Sequence, residues 1–242
     1  MLYIAFVAVF IILHLIILGV SISLVKLSSP ADRFSKYYRT LVDLTLPMLF
    51  TLGRVRVDVT GEDKIPQDSR FLMVCNHIDN LDPAVLIKAF PRAELAFVAK
   101  KEIYTTMPFV ARAMHKLHCL PIDRENNREA AKTIIRAAKL ISDDVVSIGI
   151  FPEGYTSKDG NLQPMRNGAF KIAYKAHVPI VICTVNNTPL ILKNIVRHKT
   201  IINLDVLDVI YPDEFETLSS NDVGDRVFDI MQKNIEYRRN NK

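Results

Sequence analysis

His77 and Asp82 stand five residues apart in the run Asn76-His77-Ile78-Asp79-Asn80-Leu81-Asp82-Pro83. An imidazole beside a carboxylate suits general-base work near neutral pH. The carboxylate holds one ring nitrogen protonated and leaves the other free to take a proton. On one continuous helix this spacing separates the two side chains by about 140°. Across a strand-to-helix turn they can face each other. The same residues also fit a loop histidine followed by a helix cap, because H-x4-D is a short pattern. A second motif, Phe151-Pro152-Glu153-Gly154-Tyr155-Thr156-Ser157, sets a glutamate and a glycine where another apolar run ends. Glycine lets the backbone approach a ligand closely and present its N–H. Neither motif sets a nucleophile of the chain beside a base, which favours His77 activating a hydroxyl of the substrate.

The elements that must position these residues are short β-branched runs alternating with helical stretches. Strands are expected at Val55 to Val59, Phe71 to Cys75, Leu95 to Ala99, Val145 to Phe151, Val178 to Val185 and Ile201 to Ile210. Several are nearly continuous in apolar residues, as strands buried on both faces are. A helix is expected from Asn127 to Ile141, with Asn126 and Glu129 as a capping box, and a closing amphipathic helix from Asn221 to Arg239. Asp82 before Pro83 reads as an N-cap followed by proline at the first helical position. The alternation implies one α/β domain with a mainly parallel central sheet flanked by helices. Ligands of such sheets gather at the carboxyl ends of the strands, where both motifs fall.

Asn76-His77-x4-Asp82 with Phe151-Pro152-Glu153-Gly154 resembles the first and third motifs of the glycerolipid acyltransferases, of the lysophosphatidic acid acyltransferase type. Leu120-Pro121-Ile122-Asp123-Arg124 is similar to the second motif, and Val178-Pro179-Ile180-Val181 to the fourth. Phe97-Val98-Ala99-Lys100-Lys101-Glu102 fits the stretch between the first two. The resemblance implies that His77 takes the proton of a glycerol hydroxyl while Asp82 orients the ring. The alkoxide then attacks a fatty acyl thioester, on coenzyme A or acyl carrier protein, as co-substrate and with no cofactor. It also implies acceptor-phosphate binding by cations near the second and third motifs, with Arg124 and Lys100 as candidates. Asn76, Glu153, Gly154 and Ser157 complete the expected substrate-binding set. One departure bears on the acceptor. The third motif of this family commonly carries Arg where this chain has Thr156, and threonine cannot replace a guanidinium's charge on phosphate. Arg124, Lys158 or Arg166 then compensates, or the acceptor is another lysophospholipid or membrane alcohol. His118 also stands where the second motif often has Gly, which reads as packing variation.

Charge and hydropathy place this chemistry at a membrane. Residues 1–25 contain no Lys, Arg, Asp or Glu, and only His14, Gly19, Ser21 and Ser23 interrupt the apolar run. At about 1.5 Å per residue such a helix spans a ~30 Å hydrocarbon core. A cleaved leader would need a basic n-region and a small-residue cleavage site, both missing here. Lys26, Arg33, Lys36 and Arg39 follow at once, so the positive-inside rule sets the body on the cytoplasmic side of a single-pass anchor in the cell membrane. Residues 26–53 then read as an amphipathic interfacial helix or as one packed on the globular body, with Pro47 kinking or ending it. Residues 54–242 form the catalytic domain. Gly61 to Thr200 carries 20 basic and 14 acidic residues, a field that suits an anionic ligand.

Other chemistries find little support. His115, His118, His177 and His198 show no metal-ligand spacing, so no metal is expected. Cys75, Cys119 and Cys183 fall in or beside strands and read as buried thiols. The stripe Arg128, Lys132 and Arg136 lacks interleaved aromatics and reads as a solvated helix face, so no nucleic-acid partner is expected.

Overall fold

A computed structural model describes residues 2–241 apart from Arg33, Phe34 and Val196, with side chains described from Val9 onward. Seven strands form the sheet: β1 (Val55–Thr60), β2 (Leu72–Cys75), β3 (Ala96–Lys100), β4 (Leu120–Ile122), β5 (Ile148–Ile150), β6 (Ile180–Asn186) and β7 (Thr200–Ile210). The helices are α1 (Leu2–Ser23), α2 (Ser35–Leu52), α3 (Asp82–Ala89), α4 (Ile103–Thr106), α5 (Pro108–Lys116), α6 (Asn127–Ser142), α7 (Lys171–Ala176), α8 (Leu190–Asn194), α9 (Pro212–Phe215) and α10 (Ser220–Asn240). The strand order is β1-β7-β6-β2-β5-β3-β4, and every neighbouring pair is parallel except β6 with β7. The expected mainly parallel α/β sheet is therefore the observed one.

The central strands earn their place by burial. Leu72, Met73, Val74, Ile148, Ile180, Val181 and Ile182 expose nothing to solvent, and helices cover both faces. Parallel pairing of Leu72 with Ile148 and Val74 with Ile150 sets the ends of β2 and β5 side by side. Two motifs about 70 residues apart in the chain are thereby joined.

Several expectations change on contact with the structure. The second motif, Leu120-Pro121-Ile122, is a strand that the pattern did not suggest. Asp82 is the first helical residue of α3 and not its cap; the N-cap is Leu81, with no side-chain bond. Asn126 does cap α6 by accepting from the N–H groups of Arg128 and Glu129.

The amino-terminal region departs most. Among the described residues no helix is long and apolar enough to cross a membrane. The expected span over 1–25 falls partly on residues whose side chains lie outside the described set. What is described of α1 is docked: His14 Nε2 lies 2.8 Å from Thr45 Oγ1, and Tyr38 donates to the Ser21 carbonyl at 2.9 Å. For α2 the packed alternative is the one seen. Arg39, Leu41, Thr45 and Phe50 are buried, and Arg39 donates to the carbonyls of Glu94 and Leu95 at 3.0 Å. Arg39 is thus a clamp to the domain and not a cation facing lipid headgroups. The helix continues through Pro47 to Leu52. His115 and Lys116, at the end of α5, donate to the carbonyls of Ser29 and Pro30, both at 2.7 Å, and fasten the connection between α1 and α2.

Candidate active site

β2 runs through Cys75 into a loop that returns as α3, and this turn brings His77 and Asp82 together. His77 Nδ1 lies 2.8 Å from Asp82 Oδ2. The same oxygen accepts from the N–H groups of Ile78 and Asp79, each at 2.8 Å, and Asp82 is fully buried. One carboxylate oxygen therefore fixes both the imidazole and the backbone around it. Asp82 Oδ1 is buried with no hydrogen-bond partner among the described residues. With Nδ1–H donating to the carboxylate, the lone pair of Nε2 is left on the opposite edge of the ring as a base. The ring itself stacks on Phe151, centroids 4.3 Å apart, and Phe151 stacks in turn on Phe97 at 5.7 Å.

Glu153 braces this arrangement from the next strand. One oxygen accepts from the His77 N–H at 2.7 Å and the other from the Gln163 N–H at 2.9 Å. Its burial raises the carboxyl above the usual range, against the lowering pull of those two donors. Ser157 N–H donates to the His77 carbonyl at 2.7 Å, while its hydroxyl lies 2.7 Å from the Asn161 carbonyl oxygen. Asn76 is buried with its amide ladder-bonded to Val185, donating at 3.0 Å and accepting at 2.7 Å. Asn76, Glu153 and Ser157 were expected to touch substrate. In the structure their polar atoms are committed to holding β2, β6 and the loop after β5 in place. The N–H groups of His77, Ile78, Asp79, Gly154 and Ser157 are likewise taken by internal acceptors.

Beside Phe151 lies a cavity of about 590 Å3 that includes Arg124, Gly154 and Arg166 in its lining. Gly154 adopts φ +81, a left-handed conformation suited to glycine. Arg124 follows β4 and is half-buried; burial first, and then the positive charge of Arg166, lower its guanidinium pKa. Lys100, at the end of β3, does not line this cavity and has Glu102 Oε2 at 3.9 Å as its charged neighbour. The structure thus brings together His77, Asp82, Glu153, Gly154 and Arg124 and leaves Lys100 outside. The stacking role of Phe151 and the brace from Gln163 carried no signal in the sequence, because each depends on which strands pair. All three cysteines are free and buried, and burial pushes Cys119 up to about 11.

With this geometry in hand, comparison with known proteins is decisive. A family model described as Acyltransferase matches residues 56–186, more than half the chain and all of the site just described. The chain belongs to the acyltransferase family. Among curated acyltransferase relatives, the "Probable 1-acyl-sn-glycerol-3-phosphate acyltransferase" of Mycoplasma pneumoniae is 37% identical over 160 residues, covering 64% of this chain and 57% of that protein. The 1-acyl-sn-glycerol-3-phosphate acyltransferase of Haemophilus influenzae is 31% identical over 180 residues, covering 72% and 73%. The chain thus spans a little over half the length of the first of these relatives. The crystal structure of the 1-acyl-sn-glycerophosphate (LPA) acyltransferase PlsC from Thermotoga maritima superposes with a TM-score of 0.70 at 23% identity, covering 98% of this chain and 94% of that one. At that identity the likeness establishes the acyltransferase fold.

Proposed function

We propose that this chain transfers a fatty acyl group from an acyl thioester, acyl-CoA or acyl carrier protein, to the free hydroxyl of lysophosphatidate and so makes phosphatidate. The observation that carries the reading is the imidazole–carboxylate pair at the carboxyl end of β2, in a chain whose curated relatives bear that activity's name. His77 Nε2 accepts the proton of the acceptor hydroxyl as its oxygen attacks the thioester carbonyl. Asp82 stabilises the imidazolium that forms. Collapse of the tetrahedral intermediate breaks the C–S bond. The imidazolium returns its proton to the departing thiolate, and ester and free thiol leave. No cofactor enters this scheme.

We place the reaction at a membrane surface, on its cytoplasmic side. Supporting this are the exposed apolar side chains Val9, Phe10, Leu13, Ile16, Ile17 and Val20 on α1 and the cations Lys26 and Lys36 that follow. The deciding experiment follows labelled acyl-CoA with lysophosphatidate and with lysophosphatidylcholine, using purified wild type and His77→Ala. Phosphatidate from wild type alone is expected, with transfer by His77→Ala lower by at least about 10³-fold. Transfer to the phosphocholine acceptor alone would discard the acceptor and keep the chemistry. Equal transfer by His77→Ala would discard the chemistry.

A further inference from the structure

His77 is held at two points that fix different things. Asp82 Oδ2 lies 2.8 Å from Nδ1 and pins one ring atom. Rotation of an imidazole about its Cβ–Cγ bond is broad and roughly two-fold, so one hydrogen bond leaves the ring free to tilt. The plane is set by Phe151, whose ring lies 4.3 Å from the imidazole, centroid to centroid, at an interplanar angle of 20°. Aromatic pairs usually stand about 4.5–7 Å apart, so this contact is a close one. Phe97 backs Phe151 in turn at 5.7 Å and 10°, and the three rings form one nearly parallel column.

The column has a built footing. Gly149 of β5 stands opposite Phe97 of β3 and Met73 of β2 in the sheet register. Glycine weakens a central strand, and here it has a specific use. A Cβ at this position would fall 2.8 Å from Phe97 Cδ1 and Cζ, well inside contact distance. A side chain there would displace the Phe97 ring and, through it, Phe151. Both phenylalanines are buried, and the His77 side chain is only 14% exposed. An aromatic face is the negative part of the ring quadrupole and attracts a cation held over it, most strongly where water is excluded. The neutral imidazole gains little from that attraction. The imidazolium formed as His77 takes the hydroxyl proton gains most, so the stabilisation grows with the charge of the transition state.

Resting on the reaction proposed above, we infer that Phe151, backed by Phe97 on the Gly149 footing, is a positioning residue that fixes the plane of the His77 ring and stabilises its imidazolium. Transfer from acyl-CoA to lysophosphatidate is measured against pH for wild type, Phe151→Leu, Phe151→Met and Phe151→Tyr. Leu and Met keep an apolar wall and remove the π face; Tyr keeps the face. The charged groups around the ring, Asp82 of α3, Glu153 after β5 and Arg124 and Arg166 of the neighbouring cavity, are the same in every variant. In Phe151→Leu and Phe151→Met kcat should fall roughly 2- to 30-fold with KM little changed. The acid limb of the kcat/KM profile should move about 0.4 to 1.5 units toward lower pH. Without the face the imidazolium holds its proton less well, so the free base persists further into acid. Phe151→Tyr should keep the wild-type limb. A lesion of packing alone lowers the rate and leaves the limb where it was, and that result overturns the inference. So does a limb that moves equally in Phe151→Tyr. Nuclear magnetic resonance of the His77 ring, assigned by its loss in His77→Ala, reads the stack without turnover. The ring protons should lie upfield in wild type and Phe151→Tyr and return toward ordinary positions in Phe151→Leu, with the titration midpoint moved as the limb is. A moved midpoint in a protein that transfers nothing would sink the proposed reaction and keep the stack. Transfer with limb and midpoint both unmoved would do the reverse.

Discussion

Asp82 shows how much one buried carboxylate can organise: three donors converge on a single oxygen, so ring orientation and loop shape are fixed by the same group. Residue types at His77 and Asp82 were readable from the sequence, since few side-chain pairs serve as a base with an orienter. Roles at Asn76, Glu153 and Ser157 were not. A buried amide or carboxylate must satisfy its hydrogen bonds, and which backbone groups are within reach depends on strands distant in the chain. His118 offers a test at this scale. It sits at φ +63, a conformation costing a non-glycine residue about 1–2 kcal/mol, and is partly buried near Arg39. Burial, and then the charge of Arg39, lower its pKa. The unfolded chain therefore binds a proton more readily than the folded one. The associated stability is fully present above the ordinary histidine value of about 6.5 and is lost as the pH falls below it. Replacing His118 by Gly should raise Tm at about pH 7.5 and shrink the fall in Tm on going to about pH 5. An undiminished fall would show that other groups carry the acid sensitivity.

At the scale of elements, the long apolar strands and α6 were legible because burial on both faces and a 3.6-residue period leave distinct patterns. β4 escaped because it is three residues long with a proline at its centre. Its place at the sheet edge is what tolerates Pro121, and an edge position is decided only when strands are ordered. For α2, cations and apolar residues along one helix suited lipid and protein surfaces alike. The structure shows the protein contact at Arg39, whose guanidinium reaches the carbonyls of Glu94 and Leu95, while Leu44, Leu49 and Leu52 of the same helix stay exposed. Arg39→Met keeps the apolar stem and leaves those carbonyls without their donor. It should cost about 1–3 kcal/mol, seen as a lower Tm and faster proteolysis between α2 and β1. An unchanged Tm would mean that apolar contacts alone dock the helix.

For the whole molecule, one face gathers the base, the cationic cavity and the carboxyl ends of the strands, while α1 exposes an apolar surface on a helix already fastened to α2. Monomeric soluble proteins seldom show an apolar patch of this kind. If that surface meets lipid, full-length wild type will co-sediment with anionic vesicles. Phe10→Glu with Ile17→Glu should weaken partitioning by at least about 100-fold, since the two side chains together contribute about 3–6 kcal/mol. Transfer to a short-chain soluble acceptor should survive in the same variant. Partitioning that ignores the two charges would remove α1 from the membrane contact.

The sequence by itself determined the fold class, the order of the motifs and the identity of the candidate base and its orienter. Hydropathy period and residue chemistry are local properties, and they survive in one dimension. Only the tertiary structure decided which residues brace the site and which are free to meet substrate. It also seated Arg166 on Gly154, twelve residues along the chain. Hydrogen-bond satisfaction and close packing are settled between distant segments, so they have no expression until β2 and β5 lie side by side.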